Sequence, residues 1–272
     1  MSWARKSSEC VRRGCCHGRT SLTRSSWDKS YQNDLENGLG EEEGADLTGL
    51  ESWFEEVDAP RKVLEYLTSE DFPLSPNNPG RTVESPTILD LGCGNGSSLF
   101  ELKLEGDYRG TMVGVDYSQP SVDLAKRLWD KHIEQQDETT TPQDRISFEQ
   151  LDLLKDTPTQ QPWWPEGGFD LVLDKGTFDA VSLSGETTER EGNEVRVVET
   201  YPGKVAHMVK PGGYFLITSC NWTEEEVLRW FTEGAEVKDV LKEHGRVKYP
   251  VYEFGGRKGQ GVASVCFQRV AS

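Results

Sequence analysis

At 272 residues, with 28 % charged side chains, a mean hydropathy of −0.65 and a net charge of −17, the chain is long enough for one α/β domain with additions. No apolar run approaches the ~20 residues that cross a bilayer as a helix, so no membrane association is expected. The acidic excess argues against nucleic acid and suits a basic protein surface.

The charge is uneven. Residues 1–26 hold six Lys/Arg and one acid, Glu9, and read as a disordered basic tail. Their composition is close to that of a mitochondrial presequence. Their apolar residues are too sparse for the amphipathic helix such a signal uses, so a cytoplasmic protein is expected. Cys10, Cys15, Cys16 and His17 crowd this tail without a second ligand pair at finger-like spacing, so no metal is expected. Cys93, Cys220 and Cys266 show no disulfide-like spacing, which fits a reducing compartment.

Residues 27–86 read as a helical cap and linker. Trp27, Tyr31 and Leu35 recur at i, i+4 and i+8, the period of a short amphipathic helix. An acidic, glycine-rich loop follows at 38–45, then L-E-S-W-F at 50–54. Pro60 opens a helix carrying Val63, Leu64 and Leu67. Pro73, Pro76, Pro79 and Pro86 mark 68–86 as a surface linker.

Residues 87–272 form the main domain, where apolar strands alternate with helical stretches, the pattern of a parallel sheet covered on both faces. Strands are predicted at 87–91, 112–116, 146–151, 169–173 and 214–218. Helices carry Leu99 and Leu102, then Val122, Ala125, Trp129 and Ile133. A polar insertion is expected at 134–144. Residues 194–209 read as a helix interrupted by Pro202 and stopped by K-P-G-G. Thr223 and Glu226 form a capping box for the next helix. Two β-rich runs, 246–254 and 262–268, read as a hairpin, which makes the last strand antiparallel.

The first strand enters D-L-G-C-G-N-G, with Asp90 two residues before Gly92, Gly94 and Gly96, and Asn95 between the last two. The glycines let the backbone turn sharply and approach a ligand closely. Asp116 ends the second strand, where a carboxylate can accept from both hydroxyls of a ribose. A dinucleotide loop would place its third glycine at the position of Ser97, and Asp90 would repel a diphosphate while suiting an ammonium and a sulfonium. The spacing D-x-G-x-G-x-G resembles motif I of the class I S-adenosylmethionine (SAM) methyltransferases. That resemblance implies a Rossmann-like, seven-stranded, mostly parallel sheet with an antiparallel last strand, and SAM as cofactor without metal. It places Asp90 near the methionine moiety and Asp116 on the ribose, followed by Tyr117 and Ser118. Asp152 would then approach the adenine amino group, with Leu153 beside the ring.

Asp174 opens D-K-G-T-F-D-A (174–180). Lys175 and Gly176 stand where amide- and base-methylating enzymes carry two prolines, so a base amino group is not the expected acceptor. With F-L-I-T-S-C-N-W-T (215–223), E-F-G-G-R (253–257), W-D-K-S-Y (27–31) and S-W-F (52–54), this stretch resembles the lysine methyltransferases of translation elongation factor 1-alpha. The resemblance implies that factor as the protein partner, with a monomeric enzyme expected. Asp174 becomes the candidate for positioning the amine or the cofactor's amino group, and Asn221 and Trp222 candidates for a lysine channel. Trp53 and Phe54 would form a lid, and Lys175, Thr177 and Phe178 would face the substrate. Plainer roles compete: Trp222 as packing, Asp179 as a cap, Lys175 as the partner of a nearby acid. The alternatives are a small-molecule methyltransferase and a non-catalytic SAM-binding scaffold.

Overall fold

Residues 23–38, 47, 50, 52–135, 146–190, 192–250, 252–254 and 257–271 are described by a computed structural model of the chain. The tail to residue 22, most of the acidic loop and residues 136–145, which take in most of the polar insertion expected at 134–144, lie outside the described residues. In chain order the elements are helices α1 (Arg24–Glu36) and α2 (Ala59–Leu67), strand β1 (Ile88–Leu91), α3 (Ser97–Leu104), β2 (Met112–Asp116), α4 (Gln119–Gln135), β3 (Ile146–Gln150) and β4 (Phe169–Lys175). They continue with α5 (Thr177–Ser184), β5 (Thr187–Arg190), β6 (Asn193–Arg196), α6 (Val197–Met208), β7 (Val209–Ser219), α7 (Glu224–Thr232), β8 (Leu241–Val247), β9 (Tyr252–Phe254), β10 (Arg257–Gly259) and β11 (Ala263–Arg269).

Seven strands make one sheet in the order β3-β2-β1-β4-β7-β11-β8. Neighbours from β3 to β7 pair in parallel, and β11 runs antiparallel to both β7 and β8. This is the expected Rossmann-like sheet with its antiparallel last strand. Every residue of β1 and β2 is buried, as a parallel sheet covered on both faces requires. One core layer packs Leu99, Phe100, Trp129 and Phe148 against one face. The other packs Phe178, Tyr201, Phe215 and Phe231 on the opposite face. The strand order reverses about β1, between β2 and β4, so the crevice beyond the carboxyl ends of these strands is where a ligand belongs.

Several expectations are corrected. The first helix opens at Arg24, three residues before Trp27. The stretch 68–86 is no mere surface linker: Phe72, Leu74 and Ser75 are buried, because Phe72 packs on Tyr66, Tyr214 and His244. Pro202 lies inside an unbroken α6. Burial of Val198, Tyr201 and Val205 on that helix offsets the local cost, about 3 kcal/mol, of an interior proline. Residues 193–196 are not helical but pair with 187–190 as a short hairpin, whose polar, exposed sequence gives no periodic signal. The last strand pairs antiparallel with 241–247, meeting the predicted run at 246–254 only at Arg246 and Val247. Residues 252–254 instead form a separate hairpin with 257–259. In β8 only Leu241 and Val247 are buried, so its charged sequence hides it. The capping box of α7 is present, with the Glu226 amide donating to the Thr223 hydroxyl.

Candidate active site

A cavity of about 630 Å³ opens beyond the carboxyl ends of β1 to β4, within the range of small-molecule sites. Its floor is the glycine loop. Gly92, Gly94 and Gly96 all have positive φ, and a Cβ on Gly92 would stand 2.1 Å from the Thr177 hydroxyl oxygen. Glycine is thus required there both by dihedral angle and by close approach of α5. Gly96 caps α3 in the left-handed conformation.

Asp116 lines the floor and is nearly buried. One carboxylate oxygen accepts from the Gly94 amide at 3.1 Å, the other from the Ser118 amide at 2.9 Å. Burial pushes its carboxyl upward, and these two amides work against that shift. A carboxylate oxygen has two lone pairs, so each retains capacity for one further donor. Two vicinal hydroxyls meet that requirement. Tyr117 and Leu153 line the same end of the cavity, and Lys204 fixes the latter by donating to the Leu153 and Leu154 carbonyls at 3.0 and 2.8 Å. Asn95 lines the floor and its side-chain oxygen accepts from the Ser97 amide. Ser118 is buried behind it.

Asp152 lines the wall, but its carboxylate is engaged. Arg24 donates to both oxygens at 2.6 and 2.9 Å, and the Leu154 amide adds a third bond at 3.0 Å. The adenine contact expected of this carboxylate is taken in the structure by the first residue of α1. Arg24 also lies over the Tyr117 ring at 4.7 Å, and the Tyr117 hydroxyl donates to the Arg24 carbonyl at 2.8 Å. The opposite wall and roof are aromatic. Trp27 packs on Trp53 at 5.0 Å and on Tyr31 at 6.3 Å, and Trp53 meets the edge of Phe54 at 5.6 Å.

Trp53 and Phe54 line the cavity as expected of a lid. Phe54 is also 2 % exposed and held at φ 70°, a backbone state that costs a bulky residue of order 1–3 kcal/mol. The Trp53 ring covers Gly176, where a Cβ would stand 3.0 Å from the indole. That close approach explains the glycine of D-K-G-T. Lys175 and Thr177 line the cavity too, and Thr177 donates its hydroxyl to the Leu91 carbonyl at 2.6 Å.

Asp174, Phe178, Asn221 and Trp222 stand outside the cavity wall. The buried Asp174 carboxylate accepts from the Tyr201 hydroxyl at 2.7 Å and from the Thr177 and Phe178 amides at 2.9 and 3.2 Å. It therefore holds the β4–α5 turn rather than facing an amine. Burial raises its carboxyl to about 7 against these hydrogen bonds. Phe178 is fully buried in the core rather than facing substrate. Trp222 packs on Phe178 and Trp230, the Asn221 main-chain amide donates to the Ser219 hydroxyl, and neither residue lines the cavity. Asp179 ties α5 to the end of β7 by accepting from the Ser219 hydroxyl and, at 2.9 Å, from the Cys220 amide.

Asp90 is 2 % exposed beneath the loop. Burial raises its carboxyl to about 7, opposed by Lys175 and reinforced by Asp174 and Asp116. Sequence reasoning missed the roof contribution of Arg24, Trp27, Tyr31 and Glu186. The aromatic periodicity signalled a helix, and nothing in it signalled which surface the helix covers. Among the described residues no group of three or more His, Cys, Asp or Glu is placed to hold a metal.

Residues 83–256 match the family described as methyltransferase domain. The protein-lysine N-methyltransferase EFM4 of Saccharomyces cerevisiae is 37 % identical over 247 residues, covering 90 % of this chain and 93 % of that protein. Human EEF1A lysine methyltransferase 2 is 32 % identical, with 91 % and 86 % covered. Among solved structures, a magnesium protoporphyrin IX methyltransferase from Synechocystis with bound SAM matches with TM-score 0.50 and 13 % identity over 89 % of this chain and 97 % of that one. The [4+2]-cyclase SpnF matches with TM-score 0.52 and 12 % identity over 90 % and 93 %. Likeness at that level establishes the fold alone, since a cyclase shares it.

Proposed function

The chain belongs to the methyltransferase-domain family and, within it, to the protein-lysine N-methyltransferases, and from that premise we propose that its methyl donor is SAM and its acceptor a lysine of translation elongation factor 1-alpha. The observation that carries the donor is the Asp116 carboxylate on the cavity floor, held by the Gly94 and Ser118 amides with one acceptor position left on each oxygen. Asp116 would hold the ribose, Tyr117 and Leu153 would flank the base, and Gly92 would lie beside the methionine arm. The acceptor is supported by the similarity to EEF1A lysine methyltransferases and by an acidic chain suited to a basic partner.

When bound, SAM supplies a methyl group on a sulfonium, activated for in-line displacement. The chain's own part is positioning and water exclusion. Asp34, Glu56 and Glu186 line the cavity and attract a protonated lysine to it. Ordinary lysine ionises near 10.4 and its ammonium has no lone pair, so it must lose a proton before reaction. Desolvation between Trp27, Trp53 and Phe54 lowers that pKa, and the indole faces stabilise the methylated ammonium. Methyl-lysine, S-adenosylhomocysteine and one proton are the products. The proposal places the reaction in the cytoplasm, where translation factors work.

The test is incubation with methyl-labelled SAM and purified elongation factor 1-alpha, followed by mass spectrometry of the product. Label on a lysine of that factor is the expected result. Label confined to other proteins overturns the acceptor while leaving the lysine methyltransferase reading intact.

A further inference from the structure

The sheet register puts two groups of opposite charge at one level of the cavity floor. Leu91 of β1 pairs with Val115 of β2 on one side and with Asp174 of β4 on the other. Gly92 is therefore flanked by Asp116 and by Lys175. The two flanking residues are two strand spacings apart, roughly 10 Å. A ligand whose ribose sits on Asp116 and whose base lies toward β3 must extend its other arm past Gly92 toward Lys175.

Among the described residues, Arg24 and Lys175 are the cationic side chains lining this cavity. Arg24 is committed to Asp152 and, at 3.4 Å, to Glu186. Lys175 closes no ion pair within 4 Å among the described residues. It lies instead in the field of Asp90, Glu101, Glu55 and Asp174, while burial works to lower its pKa. Lys175 also borders the small cavity beneath α2, beside Glu101 and Pro60. The residue is half-buried yet closes no ion pair, and a cation so placed gains from an anion delivered into the cavity.

We propose that Lys175 is the anchor for the α-carboxylate of the cofactor's methionine arm, a role that rests on the SAM reading above. Asp90, buried just beneath the floor within the field of Lys175, sets one acid beside one base, which complements a zwitterion better than either charge alone. The proposal accounts for the lysine of D-K-G-T without giving it any part in proton transfer. Its occupant is an amino-acid carboxylate, so a nucleoside lacking that arm gains nothing from it.

Calorimetry with S-adenosylhomocysteine and with 5′-methylthioadenosine, which lacks the amino-acid arm, separates the cases in wild type, Lys175→Met and Lys175→Arg. The expected result is a Kd for S-adenosylhomocysteine raised about tenfold or more in Lys175→Met, an unchanged Kd for methylthioadenosine, and partial recovery in Lys175→Arg. Equal weakening of both ligands, or no weakening of either, overturns the assignment of Lys175 alone. Wild type binding neither ligand overturns the SAM reading and this proposal with it. Retained methylthioadenosine affinity is also the control for folding. A Lys175→Met protein that does not fold is replaced in the same comparison by Lys175→Gln.

Discussion

Arg24 grips both carboxylate oxygens of Asp152, Nη1 at 2.6 Å and Nη2 at 2.9 Å, although 128 residues separate them. The pair fastens the first turn of α1 across the cavity to the end of β3. Burial acts to raise the Asp152 carboxyl, but the hydrogen bonds from Arg24, the Leu154 amide and Lys155 draw it down to about 2. A depressed carboxyl contributes stability that is full above the ordinary carboxylate pKa near 4 and is lost as pH falls through about 2. The strap is therefore closed throughout the neutral range.

Arg24→Ala should unfasten the roof without unfolding the protein, since a partly exposed ion pair is worth about 1 kcal/mol or less. Stopped-flow tryptophan fluorescence, reading Trp27 and Trp53 in the cavity wall, should show faster association and faster dissociation of S-adenosylhomocysteine. Unchanged rates would mean that α1 does not gate the cavity.

Gly92→Ala tests the floor. Its Cβ would meet the Thr177 hydroxyl at 2.1 Å, and φ is +64°. Gly185 has φ +68° but nothing within 4 Å, so Gly185→Ala carries the backbone cost alone, about 1 kcal/mol. Urea unfolding should place Gly92→Ala well below Gly185→Ala, with a loss of roughly 2 kcal/mol or more. Thr177→Ala in the Gly92→Ala background should recover part of the difference. Equal losses at the two glycines would remove the steric argument.

The strands, the glycine loop and Asp116 were legible because each leaves a local mark: an apolar run, a spacing, an acid at a strand end. The roles of Asp152 and Asp174 were not, because both carboxylates are settled by partners distant in sequence, Arg24 and Tyr201. Trp222 shows the same limit from the other side. An aromatic beside a strand end reads equally well as channel or core, and only its packing on Phe178 and Trp230 decides. The hairpin at 187–196 escaped because its exposed, polar strands carry no periodicity to detect.

Stability should fall as pH rises from about 4 to about 7, because Asp90 and Asp174 are buried and both are raised to about 7. A group with a raised folded pKa contributes stability that is full below its unfolded pKa and lost as pH climbs through the folded value. Lys175 opposes the shift at Asp90, while Asp174, Asp116 and Glu101 reinforce it. Asp90→Asn keeps the shape and removes one titration. Urea midpoints at pH 5, 6.5 and 8 should decline in the wild type and decline less in the variant, whose SAM affinity is also lower. Parallel slopes would show that Asp90 is ionised throughout.

Trp53 and Trp222 should separate cleanly in mutagenesis. Trp53 lines the cavity, packs on Trp27 in a tilted pair and covers Gly176, so Trp53→Ala opens the roof. Weaker S-adenosylhomocysteine binding and slower turnover are expected, with only a modest loss of stability. Trp222 is partly buried and packs against Phe178 and Trp230, outside the cavity wall. Trp222→Leu therefore removes core contacts and should cost about 2 kcal/mol in urea unfolding. At a temperature where both proteins are fully folded, kcat and KM for the lysine substrate should then match the wild type. A Trp222→Leu protein that is folded and binds S-adenosylhomocysteine normally, yet has lost turnover, would return this indole to the lysine channel. The packing on Phe178 would then be its resting position and not its working one.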